Sequence, residues 1–260
     1  MLLKMVKDDR DSEVRTMTEI RTALVTGADR GFGLSVAREL LQHGWRVFAG
    51  RVLRDYPLLD EMKEQWPELY PIWLDVSNVE EIESAAKEIE AVSGKLDLLV
   101  SNAALMGPDG ASTIGGENPI NFAMLEKAFA INSMAAPLLV DRLLPLLEKG
   151  DMKRLFFTSS EISSIKLMHR TGDVRYAMTK AALNLSARMM FNDLRPRGYT
   201  FRLYQPGWMK RVLPDGSRMV GPANVDPDDS AKEAMRQIFE ERVDEDRLQL
   251  VDYLGKELAF

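Results

Sequence analysis

ALVTGADRGFGLSVARELLQHG, residues 23–44, decides the fold. Ala23–Val25 are apolar and strand-like, Thr26 and Gly27 break the run, and Leu34, Ala37 and Leu41 then recur at helical spacing. A buried strand therefore passes through a tight turn into an amphipathic helix. Each glycine in the turn has its own use. Gly27 permits the sharp reversal, Gly31 lets the backbone approach a phosphate, and Gly33 allows close helix–strand packing. The helix start adds free N–H donors and a positive dipole end, a seat suited to a pyrophosphate.

The same alternation continues along the chain. Apolar runs at 46–50, 70–75, 96–102, 154–160, 201–206 and 248–253 read as further strands. Between them lie helical patterns, among them 79–94, 125–150 and 176–195. Strands apolar on both faces and alternating with helices imply a parallel sheet covered on both sides. Right-handed crossovers make it doubly wound. No repeat, low-complexity tract or linker interrupts the series, so residues 21–260 read as one α/β domain. Residues 1–20 carry no apolar period and are expected to form a flexible N-terminal extension. Segments 105–122 and 208–225 are loop-like and fall beyond the strands' carboxyl ends, where ligands bind in open α/β sheets. Leu105, Met106, Met209 and Met219 would give that region an apolar, adaptable wall.

Composition removes several function classes. The 260 residues carry a net charge of −6, which argues against a nucleic-acid-binding face. There is no cysteine, hence no disulfide or thiolate metal site, and His43 and His169 are the only histidines, so no metal centre is expected. Charges interrupt every apolar stretch before the ~18 residues of a membrane span, and the N-terminus turns acidic too early for a signal peptide. A cytoplasmic location without membrane partners is expected.

Tyr176-Ala-Met-Thr-Lys180 places a phenol and an ammonium on one helical face, at i and i+4. A free phenol has a pKa of ~10, and a neighbouring cation favours its ionised form. The second strand ends Ala49-Gly50-Arg51, without the carboxylate that would hold a ribose 2′-hydroxyl. Arg51, joined by Arg30 from the glycine turn, suits a 2′-phosphate instead.

The spacing Gly27-x-x-x-Gly31-x-Gly33 after Thr26 resembles the short-chain dehydrogenase/reductase family, and the resemblance runs over about residues 21–255. It implies a Rossmann-like sheet of seven parallel strands in the order 3-2-1-4-5-6-7, and an NADP(H)-dependent oxidoreductase acting on a small carbonyl or alcohol. It makes Tyr176 the general acid/base and Lys180 its partner and the holder of the nicotinamide ribose. Asn132 becomes a helix residue whose backbone bulge supports proton resupply. The serine at the end of the fifth strand orients the substrate oxygen. Alignment on that strand selects Ser160, while the family's commonest interval to the tyrosine points to Ser163; the strand position is preferred. By the same resemblance the cofactor seat comprises Thr26, Gly27, Asp29, Arg30, Gly31, Phe32, Gly33, Arg51, Asp75, Val76, Asn102, Ala103, Ala104, Tyr176, Lys180, Pro206 and Gly207. Asp75 is equally a common kind of helix cap. Ser101 and Ala104 depart from the family's Asn-Asn-Ala-Gly, and Arg211 stands where a threonine is usual. The tail Asp252-Tyr253-Leu254-Gly255-Lys256 resembles a carbonyl-reductase branch that includes sniffer and C-factor-like proteins.

The same resemblance implies a homodimer or homotetramer through the helices of Asn132 and Tyr176. Ala135, Ala136, Ala181, Ala182 and Ala187 would permit close approach there. Two rival readings use the same scaffold: a catalytically idle dinucleotide-binding redox sensor, and an epimerase or dehydratase without net cofactor oxidation.

Overall fold

The computed structural model describes residues 20–106, 113–116 and 119–260. The expected N-terminal extension up to residue 19 and the tip of the first loop lie outside the described residues.

Six strands alternate with helices before the sheet's far edge: β1 Thr22–Val25, α1 Gly31–Gln42, β2 Arg46–Arg51, α2 Leu58–Gln65, β3 Leu69–Trp73, α3 Val79–Val92 and β4 Leu98–Ser101. Then come α4 Phe122–Phe129, a π-helical turn Ala130–Met134, α5 Ala135–Leu147, β5 Arg154–Thr158, α6 Val174–Leu194, β6 Thr200–Gln205 and α7 Pro227–Phe239. A hairpin of β7 Leu250–Asp252 and β8 Glu257–Leu258 closes the chain. The sheet runs β3-β2-β1-β4-β5-β6-β7-β8, parallel except for the last pair.

The seven parallel strands thus carry an eighth, antiparallel one that the sequence pattern did not show. Its cause is local. The Asp252 carboxylate accepts from the amides of Leu254 and Lys256, and Gly255 takes a positive φ of 78°, so the chain folds straight back. Two residues of strand are too few to leave a period.

Side chains alternate across the sheet into two cores. Leu24 and Phe48 join α3, α5 and α6 on one face; Ala23, Val25, Val47 and Ala49 join α1, α2 and α7 on the other. Both faces are dry, which is why the strands read as continuous apolar runs. Phe122–Leu147 is apolar and, at 26 residues, long enough to cross a bilayer. Half of its apolar window is buried, with Leu139, Val140, Leu143, Leu146 and Leu147 in the first core.

The packing corrects one expectation. Ala135, Ala136 and Ala187 lie in that same core and cannot meet a second copy. Met134, Leu185 and Met189 are exposed instead, at 63%, 64% and 66%. Alanine is small enough to let helix and sheet close up, and that closure is what these residues serve.

Candidate active site

The glycine turn sits at the carboxyl edge, between β1 and α1. Gly27 and Gly31 hold positive φ angles of 62° and 59°. At Gly33 an added Cβ would stand 2.3 Å from the Gly27 carbonyl oxygen and 2.6 Å from the Asn102 amide nitrogen, so the site tolerates no side chain. At Gly31 it would meet nothing within 4 Å. The turn is packed tight beneath and open above. The α1 N-terminus has no side-chain cap, leaving its first N–H groups available.

A hydrogen-bonded web fixes this turn to its neighbours. The Thr26 hydroxyl accepts from the amides of Asn102 and Ala103 at 2.9 and 3.0 Å. The Asn102 side chain donates to the carbonyls of Thr26 and Gly27 and accepts from the Thr158 hydroxyl at 3.2 Å. The Thr158 carbonyl in turn accepts from the Lys180 ammonium at 2.7 Å. Ala104 is exposed and lies at the described base of the first loop.

Three proposed cofactor contacts turn out to have structural side-chain roles. The Asp29 carboxylate accepts from the amides of Val52 and Leu53 at 2.8 and 2.7 Å, tying the glycine turn to the loop after β2; burial raises its pKa. The Phe32 ring is buried and stacks on Tyr204 at 5.6 Å, so only its backbone can face a ligand. The Asp75 carboxylate accepts from the amide and hydroxyl of Ser77, while Asn78 caps α3. Val76 is buried beside it.

At the end of β2 the Arg51 guanidinium lies 4.5 Å from the Trp73 ring centroid, and Arg54 lies 4.7 Å from the same ring. Arg30 stands 5.3 Å over Tyr56. Arg54 and Trp73 were not picked out from the sequence; a cation three residues past the strand end was the available signal. The Arg51 Nε is buried without a hydrogen-bond partner among the described residues. An orphaned guanidinium edge and open space over Gly31 fit a phosphorylated dinucleotide.

Tyr176 and Lys180 lie at the head of α6, with the Lys180 nitrogen 5.6 Å from the Tyr176 ring centroid. Lys180 is 1% exposed, and burial lowers its pKa to about 8. The phenol runs against the sequence expectation. Burial first, and the Asp173 charge second, push its pKa well above the ordinary tyrosine value. Both influences act in the same direction, so the phenol keeps its proton.

Asn132 lies in the π-helical turn, so the helix does bulge where it stands. Its side chain accepts from the Leu105 amide at 2.7 Å and donates to the Leu105 carbonyl and the Thr179 hydroxyl. Arg175 adds a bond to the Met106 carbonyl. Together they pin the base of the first loop to α6. Met106 and Met219 are exposed, whereas Met209 packs into the second core.

The two serine candidates differ in their bonding. The Ser163 hydroxyl is buried, donates to the Ser160 carbonyl and accepts from the Asn184 amide at 2.7 Å. The half-buried Ser160 hydroxyl accepts one long bond, 3.3 Å, from the Ile162 amide. Ser160 has the freer donor. Pro206 is buried; its carbonyl accepts from Ser230, and Gly207 has φ 88° with Val225 and Tyr253 within 3 Å of where a Cβ would stand. Arg211 is exposed on the following loop.

The profile of the short chain dehydrogenase family matches residues 21–215. The protein called C-signal from Myxococcus xanthus is 29% identical over 168 residues, 65% of this chain and 95% of that one. The NADPH-bound carbonyl reductase from chicken fatty liver superposes with a TM-score of 0.80 at 25% identity, covering 93% of this chain and all of that one. Carbonyl reductase Sniffer of D. melanogaster gives 0.81 at 23% identity over 93% of this chain and all of its own, a likeness of fold.

Proposed function

The chain belongs to the short chain dehydrogenase family, and on that premise we propose that it is an NADP(H)-dependent reductase of a small ketone or aldehyde. One observation carries the reading: the Tyr176 phenol and the buried Lys180 amine, 5.6 Å from its ring centre, share the head of one helix. The likeness to a reductase described as NADPH-bound supports the cofactor choice, as do Arg30 and Arg51 and the missing carboxylate at the end of β2.

The dinucleotide, when bound, supplies or accepts the hydride. The chain's own groups do the rest. Tyr176 donates its proton to the carbonyl oxygen as general acid, and burial holds the phenol in its protonated form before substrate binds. Lys180, held by the Thr158 carbonyl, would give its remaining donors to the ribose hydroxyls of a bound dinucleotide. Ser160 orients the carbonyl oxygen, and Asn132 holds the loop base over the site.

The test is Tyr176→Phe on a carbonyl panel, following oxidation of NADPH by its absorbance. The variant should bind NADPH normally and lose turnover by at least ~10³-fold. Near-normal rates on any accepted substrate would refute the assignment. Wild-type binding without oxidation of any panel member would favour a redox sensor, and product without net oxidation an epimerase or dehydratase.

A further inference from the structure

The Arg51 guanidinium already has an anion. Both Asp60 oxygens, from the first turn of α2, accept from the same nitrogen, Nη1, at 2.8 and 2.7 Å. The carboxylate therefore straddles one nitrogen and leaves the opposite edge, with the unpartnered Nε, unused. The two partners are unequal in freedom. The Arg51 side chain is 17% exposed and stacked on Trp73, while that of Asp60 is 61% exposed at a helix end. Trp73 and the strand hold the cation in place; the anion is the movable member.

We propose that Asp60 is an internal stand-in for the cofactor's 2′-phosphate and sets how strongly the protein prefers the phosphorylated dinucleotide. The inference rests on the NADP(H) reading above. In the free protein Asp60 neutralises a cation that would otherwise be half-satisfied. A 2′-phosphate arriving at the same guanidinium meets that carboxylate as a like charge and must share or displace it. A ribose 2′-hydroxyl carries no charge and meets no such opposition. Asp60 thus weakens binding of the phosphorylated form selectively, against the attraction of Arg51, Arg54 and Arg30.

The experiment titrates wild type, Asp60→Asn, Asp60→Ala and Arg51→Gln with NADPH, NADH and adenosine 2′-monophosphate, reading binding by calorimetry. Both Asp60 variants should bind NADPH and adenosine 2′-monophosphate about three- to tenfold more tightly, with NADH unchanged. The gain should shrink as salt is raised. Unchanged or weaker NADPH binding in both variants, with Arg51→Gln still losing affinity, would overturn the proposal and make Asp60 a positioning residue. If Arg51→Gln binds NADPH as well as wild type does, the cofactor reading beneath it fails as well. Thermal melts of each variant separate these outcomes from loss of folding.

Discussion

Replacing Lys180 by methionine tests the central electrostatic argument, because it should abolish turnover without unfolding the protein. The ammonium is 1% exposed, and its pKa falls from 10.5 to about 8 through burial. Holding it charged at pH 7 therefore costs the folded state roughly 3 kcal/mol. Methionine removes that cost and fills a similar volume. It also leaves the Thr158 carbonyl without its donor, worth about 1–2 kcal/mol. The variant should then match wild type or exceed it by up to about 2 kcal/mol. The sign can be checked against pH. Between about 8 and 10.5 the unfolded lysine holds a proton that the folded one has lost, so wild-type stability gains with rising pH. The methionine chain has no such gain, and its advantage should shrink by roughly 1 kcal/mol from pH 7 to pH 9. Urea melts of both chains at the two pH values measure it. A variant destabilised at pH 7, by an amount that does not change with pH, would refute the account of Lys180 as a costly buried charge.

Gly33→Ala should lower stability by about 1–3 kcal/mol and weaken NADPH binding at least ~10-fold, because its methyl group would collide with the Gly27 carbonyl and the Asn102 amide. A melt and a binding titration check both, and an unchanged Kd would detach the glycine turn from the cofactor. Ser160→Ala should melt like wild type yet lose about 10²-fold in kcat/KM. Ser163→Ala should lose about 1–3 kcal/mol through the stranded Asn184 amide while keeping most of its rate. The opposite pattern would transfer the substrate-orienting role to Ser163.

The fold was legible because its decisive signals are short-range. Strand, glycine turn and helix are contiguous between Thr22 and Gln42, and a phenol and an amine four residues apart must share a helical face whatever surrounds them. The family match, over residues 21–215, agrees with that reading. What stayed hidden depends on contacts distant in sequence. Nothing local says that one oxygen of Asp29 accepts from the amides of Val52 and Leu53, or that Phe32 turns inward onto Tyr204. The rise in the Tyr176 pKa is likewise a property of the packed interior, since spacing to Lys180 alone argues for a fall. Ala135, Ala136 and Ala187 misled for a related reason: small residues mark close approach without saying which neighbour approaches.

The chain of bonds from Gly27 through Asn102 and Thr158 to Lys180 crosses three adjacent strands and joins two places that must stay in register. Displacing one end drags the other, so altered dinucleotide choice and altered proton delivery cannot be engineered independently through residues on this line. Loop 208–225 is outside that linkage, and its Trp208 and Val220 are exposed. Diversification toward new substrates has its natural latitude there, over a scaffold whose alignment is held from below.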